Sequence, residues 1–447
     1  MTAQELCAKA EEVDLHLVRF LWCGNDGTIR AKASGRHGLE DRLQAGIGLT
    51  VAMQAMSGLD ELQPVAGMGP VGEVRLVPDL DTFRVLPYAP RTGVVLTDHI
   101  ALDGEPAPVC QRSFLKRMEG RLAERGLVLR ATFENEFSLA TQVEGAYVPI
   151  DSALCFATIA MTAAQDYVDE LAEALEVQAI VLEQYYAELG HGQQEISTGH
   201  APALRAADEQ LLVRETIRAV ASRRGLVASL APKPWPENAG NGAHVHFSLW
   251  DGSGNRFYER ARPDGLSDEA RAFLAGVLTH LPGLCGVTAP SFNSYHRILP
   301  HFWAGAFTCW GFDNREAPVR VASPFRGSEE ASTNAELKAC DASCNPYLAL
   351  GGLIASGLDG LERGLQLPDP LDVDPATLAE DERARRGIVA LPASQAQALD
   401  ALAADELLTE ALGPVLTESY LAVRRSEWAA YSAGDAAFEQ QGHFAKY

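Results

Sequence analysis

The sequence predicts a chain of mixed helix and strand in two domains, a small strand-rich one and a larger one in which strands and helices alternate. Three observations lead there. The 447 residues exceed the usual size of one domain. Up to Ile100 the chain reads as short apolar stretches broken by turn residues, and beyond Pro106 amphipathic helical stripes alternate with strand-like ones. Hydrophobic residues make up 47% of the chain, enough for a sizeable core.

Taken in order, Val18, Phe20 and Trp22 alternate as in a strand, Asn25-Asp26-Gly27 supplies a turn, and Ile29 to Ala33 lead back. Glu73 to Asp79 and Gly93 to Leu96 continue the strand-rich module. The composition turns polar at Asp103-Gly104-Glu105-Pro106, which sets the domains at 1–105 and 106–447. Residues 113–125 read as a helix leading through Gly126 into a strand that carries Glu134 and Glu136. Ala164 to Leu175 puts Tyr167, Leu171 and Leu175 on one stripe, and 207–224 forms a further helix stopped by Gly225. Ser267 caps another, and Pro346 opens another because its missing N–H costs nothing at the first helical position. Pro368 to Asp374 and the charged Glu380 to Arg386 read as a loop-like insertion before the C-terminal helices.

The formal net charge of -23 argues against a nucleic-acid backbone or an anionic membrane as the main partner. The eight cysteines lack paired metal spacing; only Cys340 and Cys344 lie close together. Reduced thiols in a cytoplasmic enzyme are expected. The N-terminus shows no secretion signal, and no uninterrupted apolar run has the length to span a bilayer.

The chemistry gathers at four stations. In Phe133-Glu134-Asn135-Glu136-Phe137 the acids share one strand face, and two parallel carboxylates need cations or protons to neutralise them. A solvated strand edge would carry the same pattern. Glu188 and Glu195 flank a loop whose Gly190 and Gly192 let the backbone turn sharply, so that the acids can converge; a plain surface loop is the alternative. In Ala243-His244-Val245-His246-Phe247-Ser248, the two histidines and Ser248 share one face behind Gly240-Asn241-Gly242. Glu336 completes a set of five carboxylates with imidazole, a donor set suited to two Mg²⁺ or Mn²⁺ ions rather than zinc. Arg297, Arg315, Arg320 and Arg326 form a basic stretch whose planar forks suit phosphates and carboxylates, though salt bridging would use them equally.

In this order the stations resemble the glutamine synthetase superfamily over essentially the whole chain. The motifs are F-E-N-E-F, E-L-G-H-G-Q-Q-E, A-P-K-P-W with G-N-G-A-H-V-H-F-S-L, N-S-Y-H-R, N-R-E-A-P-V-R and A-E-L-K-A-C-D-A-S-C-N-P-Y-L-A-L. The W-A-G-A-F and N-R-E-A-P wording is most similar to the divergent branch related to fungal FluG and plant nodulin-type proteins. The resemblance implies an α+β fold, a β-grasp domain before a catalytic domain with a curved antiparallel sheet and flanking helices. It implies rings of subunits, two hexamers forming a dodecamer, with sites between neighbours. One metal would be held by Glu136, Glu188 and Glu195, and the other by Glu134, His244 and Glu336. His246 and Ser248 match nucleotide-contacting positions, Arg315 and Arg320 phosphate-binding arginines, and Arg297 the arginine that grips the amino-acid carboxylate.

The departures bear on substrate. Ammonia-using members carry an acid in the N-terminal domain, where Gly48-Leu49-Thr50-Val51-Ala52 has none, and a flap glutamate at the position of Trp303. Without those acids the amine site suits an organic amine against an aromatic wall. Ala239 stands for a substrate-binding Asn, and Lys338 for a catalytic-site Arg, keeping the charge without the fork. The expectation is an ATP-dependent ligase joining glutamate to a small monoamine such as ethanolamine. An ammonia-using glutamine synthetase and a non-catalytic homologue are the alternatives.

Overall fold

The computed structural model describes all 447 residues. In the small domain the sheet strands are β1 (Leu17–Cys23), β2 (Ile29–Gly35), β3 (Ile47–Thr50), β4 (Glu73–Val85) and β5 (Thr92–Ile100). Their order is β2-β1-β5-β4-β3, with β1 and β5 parallel and every other pair antiparallel. That central parallel pair, with the helix Leu39–Ala45 packed on it, is the β-grasp arrangement.

The turn between β1 and β2 is not a solvent-facing hairpin tip. Asn25 and Asp26 are fully buried, and Arg214 donates to the Gly27 carbonyl at 2.8 Å. Gly27 has φ 75, and a Cβ there would lie 2.1 Å from the Ser343 carbonyl oxygen. Only glycine allows the small domain to seat this deeply. Buried Arg112 ties the same joint, reaching Asp79 and Asp208 at 2.8 Å and Asp98 at 3.1 Å.

The large domain is built on eleven strands: β6 (Val128–Val143), β7 (Ala146–Pro149), β8 (Leu182–Ala187), β9 (Gln193–Thr198), β10 (Ala201–Pro202) and β11 (Val227–Ser229), then β12 (Ala243–Asp251), β13 (Gly254–Asn255), β14 (Trp310–Phe312), β15 (Val319–Val321) and β16 (Ala335–Leu337). The main path runs β14-β15-β16-β12-β6-β9-β8, antiparallel throughout except between β14 and β15. One face of this sheet packs on the helices Gln111–Ala123, Ala203–Arg223, Asp268–Thr288 and Pro346–Arg363 in a single core. The fold is α+β, as the sequence predicts.

The helix Asp268–Thr288 is long and apolar enough to cross a membrane by composition, yet it lies buried against Pro346–Arg363 as a core helix. Ser267 caps it by accepting the Ala270 N–H, and Asn345 caps the helix opened by Pro346. The stretch 368–386 is loop over Pro368 to Asp374, as expected, and corrects the expectation at Glu380 to Arg386. It contains the helix Glu380–Arg385, and Leu371 packs into a small core with Cys309, Ala317 and Ile388. Asn314 donates to the Leu371 and Val373 carbonyls, so the segment is a fitted buttress rather than a loose insertion.

Candidate active site

Antiparallel register brings the stations together. Glu134 on β6 sits directly opposite His244 on β12, and His246 opposes Glu336 on β16. On the other side of β6, Glu136 opposes Glu195 on β9, and Glu188 follows β8, the next strand. Strand alternation then turns all of these side chains to one face while Phe133, Phe137, Val245 and Phe247 enter the core.

Two clusters result. In the first, one ligand atom each from Glu134, His244 and Glu336 lie within 4.8 Å of one another. His244 Nδ1 is 3.2 Å from Glu336 and 3.7 Å from Glu134. His246 closes on the same group, with Nε2 3.4 Å from Glu134 and Nδ1 2.9 Å from the Asn334 side-chain oxygen. Arg320 Nε donates to Glu336 at 2.5 Å, and Lys338 Nζ donates to its other oxygen at 3.2 Å. Burial alone would raise the Glu134 carboxyl, but hydrogen bonds from His244 and His246 hold it below the usual range. Burial is likewise overridden at Glu336, where Lys338 and then His244 keep the carboxylate charged.

The second cluster has no lysine or arginine, and only His244 approaches it, with Nε2 3.7 Å from Glu136. Burial, then the charges of Glu134 and Glu136, push Glu195 up to about 11. Burial and the Glu136 charge also raise Glu188. Tyr186, opposite Glu195 in the β8–β9 register, donates its hydroxyl to that carboxylate. Glu136 is held by the Gly242 N–H at 2.8 Å and the Gln193 amide at 3.2 Å. Carboxylates so arranged cannot all ionise without a positive charge among them. Oxygen donors of this kind fit a hard divalent ion.

The arginines divide. Arg297 is buried and donates to the Lys338 and Cys340 carbonyls at 3.1 and 2.9 Å, with its Nε lacking any partner. Arg320 is engaged with Glu336, whereas Arg315 is exposed, its guanidinium 6.0 Å from the Trp303 ring centre. Arg326 is exposed on the loop after β15. Ser248 lies farther along β12, accepting the Trp250 indole N–H at 2.9 Å. Trp303 is 62% exposed on a loop with φ 67 at His301 and φ 55 at Trp303 itself.

Sequence pattern missed Tyr186, Gln193, Asn334 and Glu316, whose carboxylate accepts the Trp303 N–H at 3.1 Å. Tyr186 and Gln193 could have been found by writing out the β8–β9 pairing. Nothing local marks Glu316.

The model of the glutamine synthetase N-terminal domain matches residues 1–107, and that of the glutamine synthetase catalytic domain matches 108–442. The chain is 37% identical over 417 residues to the gamma-glutamylpolyamine synthetase GlnA3 of Streptomyces coelicolor, covering 92% of this chain and 90% of that protein. It is 31% identical over 405 residues to a glutamine synthetase of Methanococcus maripaludis, covering 90% and 88%. A crystal structure of a novel glutamine synthase homolog superposes with a TM-score of 0.87 at 32% identity, covering 97% of this chain and 99% of that one. An ADP complex of GmaS superposes at 0.85 with 28% identity, covering 98% of each. With both domains matched and the residues of the site drawn together on one sheet, the chain belongs to the glutamine synthetase family and is a ligase of that family.

Proposed function

We propose that this protein is an ATP-dependent ligase forming a γ-glutamyl amide from glutamate and a small organic amine. The observation that carries the choice of amine is Trp303, which exposes an indole at the flap position where ammonia-using members hold a glutamate. The similarity to a protein named for γ-glutamylpolyamine synthesis supports an organic amine over ammonia.

A free carboxylate is a poor acylating agent because oxide would have to leave. Attack of the glutamate γ-carboxylate on the terminal phosphorus of ATP releases ADP and leaves an acyl phosphate. The amine then displaces phosphate, losing a proton as the amide forms. Glu136, Glu188 and Glu195 would hold one divalent ion, and Glu134, His244 and Glu336 the other. Mg²⁺ or Mn²⁺ in those positions supplies positive charge for the phosphate oxygens. Arg315 and Arg320 meet the phosphates, His246 and Ser248 face the nucleotide, and Arg297 grips the amino-acid carboxylate. Lys338 keeps Glu336 charged and adds a cation where the phosphoryl group moves. Trp303 gives the amine an apolar and cation–π wall.

Phosphate release measured with glutamate, ATP and a panel of ammonia, monoamines and diamines tests this. Turnover is expected with a small alkylamine or amino alcohol in preference to ammonia. Efficient glutamine synthesis with organic amines ignored would replace this function with the ammonia-using one. The site lies at an exposed flap, and we place it within a closed ring of subunits, two hexamers forming a dodecamer, in which the small domain completes its neighbour's site.

A further inference from the structure

The flap that has lost its sequence acid keeps a carboxylate in space. Glu316 follows Arg315 and precedes β15, and only 8% of it is exposed. One oxygen, Oε1, accepts the Trp303 N–H, while Oε2 has no hydrogen-bond partner and no lysine, arginine or histidine pairs with the group. Other buried glutamates outside the two ligand clusters are paired: Glu209 with Arg205 at 2.6 Å and Glu427 with Arg424 at 3.0 Å. A neutral acceptor such as serine or glutamine would serve a single backbone N–H. The side chain is largely enclosed, yet its second oxygen stays open to solvent and unpaired, in reach of an arriving cation.

The surrounding loop is built to stay against that carboxylate. His301 Nδ1 is held by Asp374 at 2.8 Å, and the Trp303 ring rests on Arg315. Gly305 has φ 75, and a Cβ there would lie 2.5 Å from Pro318 Cα, so the strand leading to β15 and the flap touch backbone to backbone. Amines of the class proposed above carry a proton at neutral pH and reach the site as ammonium ions.

We propose that Glu316 is the carboxylate that receives the ammonium group of the amine substrate at the foot of Trp303, making it a specificity-determining residue. The inference rests on the ligase function proposed above. It relocates the missing acid from position 303 to a different segment that the fold brings to the same residue.

The test compares wild type, Glu316→Gln and Glu316→Ala by phosphate release at saturating ATP and glutamate. The nucleophiles are ethanolamine, which is cationic, and hydroxylamine, which is uncharged at neutral pH. The ratio of kcat/KM for ethanolamine over hydroxylamine is expected to fall roughly ten- to a hundredfold in both variants, chiefly through a higher KM for ethanolamine. Glu316→Asp, which keeps the charge, is expected to retain part of the preference. If Glu316→Gln keeps the wild-type ratio while Glu316→Ala loses it, the carboxylate only positions Trp303 and the proposal is overturned. A wild-type ratio in both variants overturns it as well. Wild-type protein inactive with every amine would instead defeat the ligase function, and this inference with it.

Discussion

At the scale of single residues, Trp303 and Glu134 make the sharpest demands. If the Trp303 indole is the amine's wall, Trp303→Ala weakens amine binding by about 0.5–2 kcal/mol, a two- to thirtyfold rise in KM. Formation of the acyl phosphate should survive, which single-turnover ADP release would show. Glu134 lies within reach of both histidines and of the Glu336 cluster. Glu134→Gln keeps the volume but removes a charge that His244 and His246 hold ionised. Turnover should drop by ~100-fold or more, since even groups that merely support a metal ligand cost 10- to 100-fold when removed. Titration calorimetry with Mn²⁺ should show the loss of one binding event, and unchanged Mn²⁺ binding would remove Glu134 from the ligand set.

At the scale of elements, helix packing carries its own pH dependence, away from the site. His280 sits inside Asp268–Thr288, with Nδ1 2.7 Å from Asp405 and Nε2 3.1 Å from Asp359, which also pairs with Arg363. Asp405 in turn caps the helix Glu406–Leu412. Burial disfavours the charged ring, but the hydrogen bonds to both aspartates override it and raise the pKa above its ordinary 6.5. A raised pKa means the stabilisation is complete below the unfolded value and is lost as pH climbs through the folded one. The Tm gap between wild type and His280→Gln should therefore be widest near about pH 5.5 and narrow toward about pH 9. A gap independent of pH would show that the ring acts through packing alone.

Elements also show how far sequence carries. Glu134 and Glu136, and His244 with His246 and Ser248, were legible because a strand's period of two assigns each side chain a face without knowledge of its neighbours. The cap at Ser267 and the helix start at Pro346 were legible for the same local reason. The pairing of Glu136 with Glu195, the hydroxyl of Tyr186 and the seat of Glu316 depend on register and loop docking between distant segments. So does the packing of 368–386, whose polar composition conceals the apolar contacts of Leu371 with Cys309, Ala317 and Ile388. Register also sets the Arg320 Nε on Glu336, a contact that sequence spacing does not show.

For the whole molecule, the ring of subunits proposed above makes a prediction about mass. Light scattering should report a mass of many subunits, and dilution or mild chaotrope that yields monomers should abolish turnover. A fully active monomer would exclude sites shared between subunits.

The register of β16 also sets an order in time. Synthesis delivers Glu134, Glu136, Glu188, Glu195 and both histidines long before Glu336, Arg320 and Lys338 emerge to pair across the sheet. Until β16 slides between β12 and β15, Glu134 and His244 lack the third member of their cluster. An ion at the proposed Glu134–His244–Glu336 site would therefore be captured only once this part of the sheet has closed, as a finishing step of folding rather than its seed.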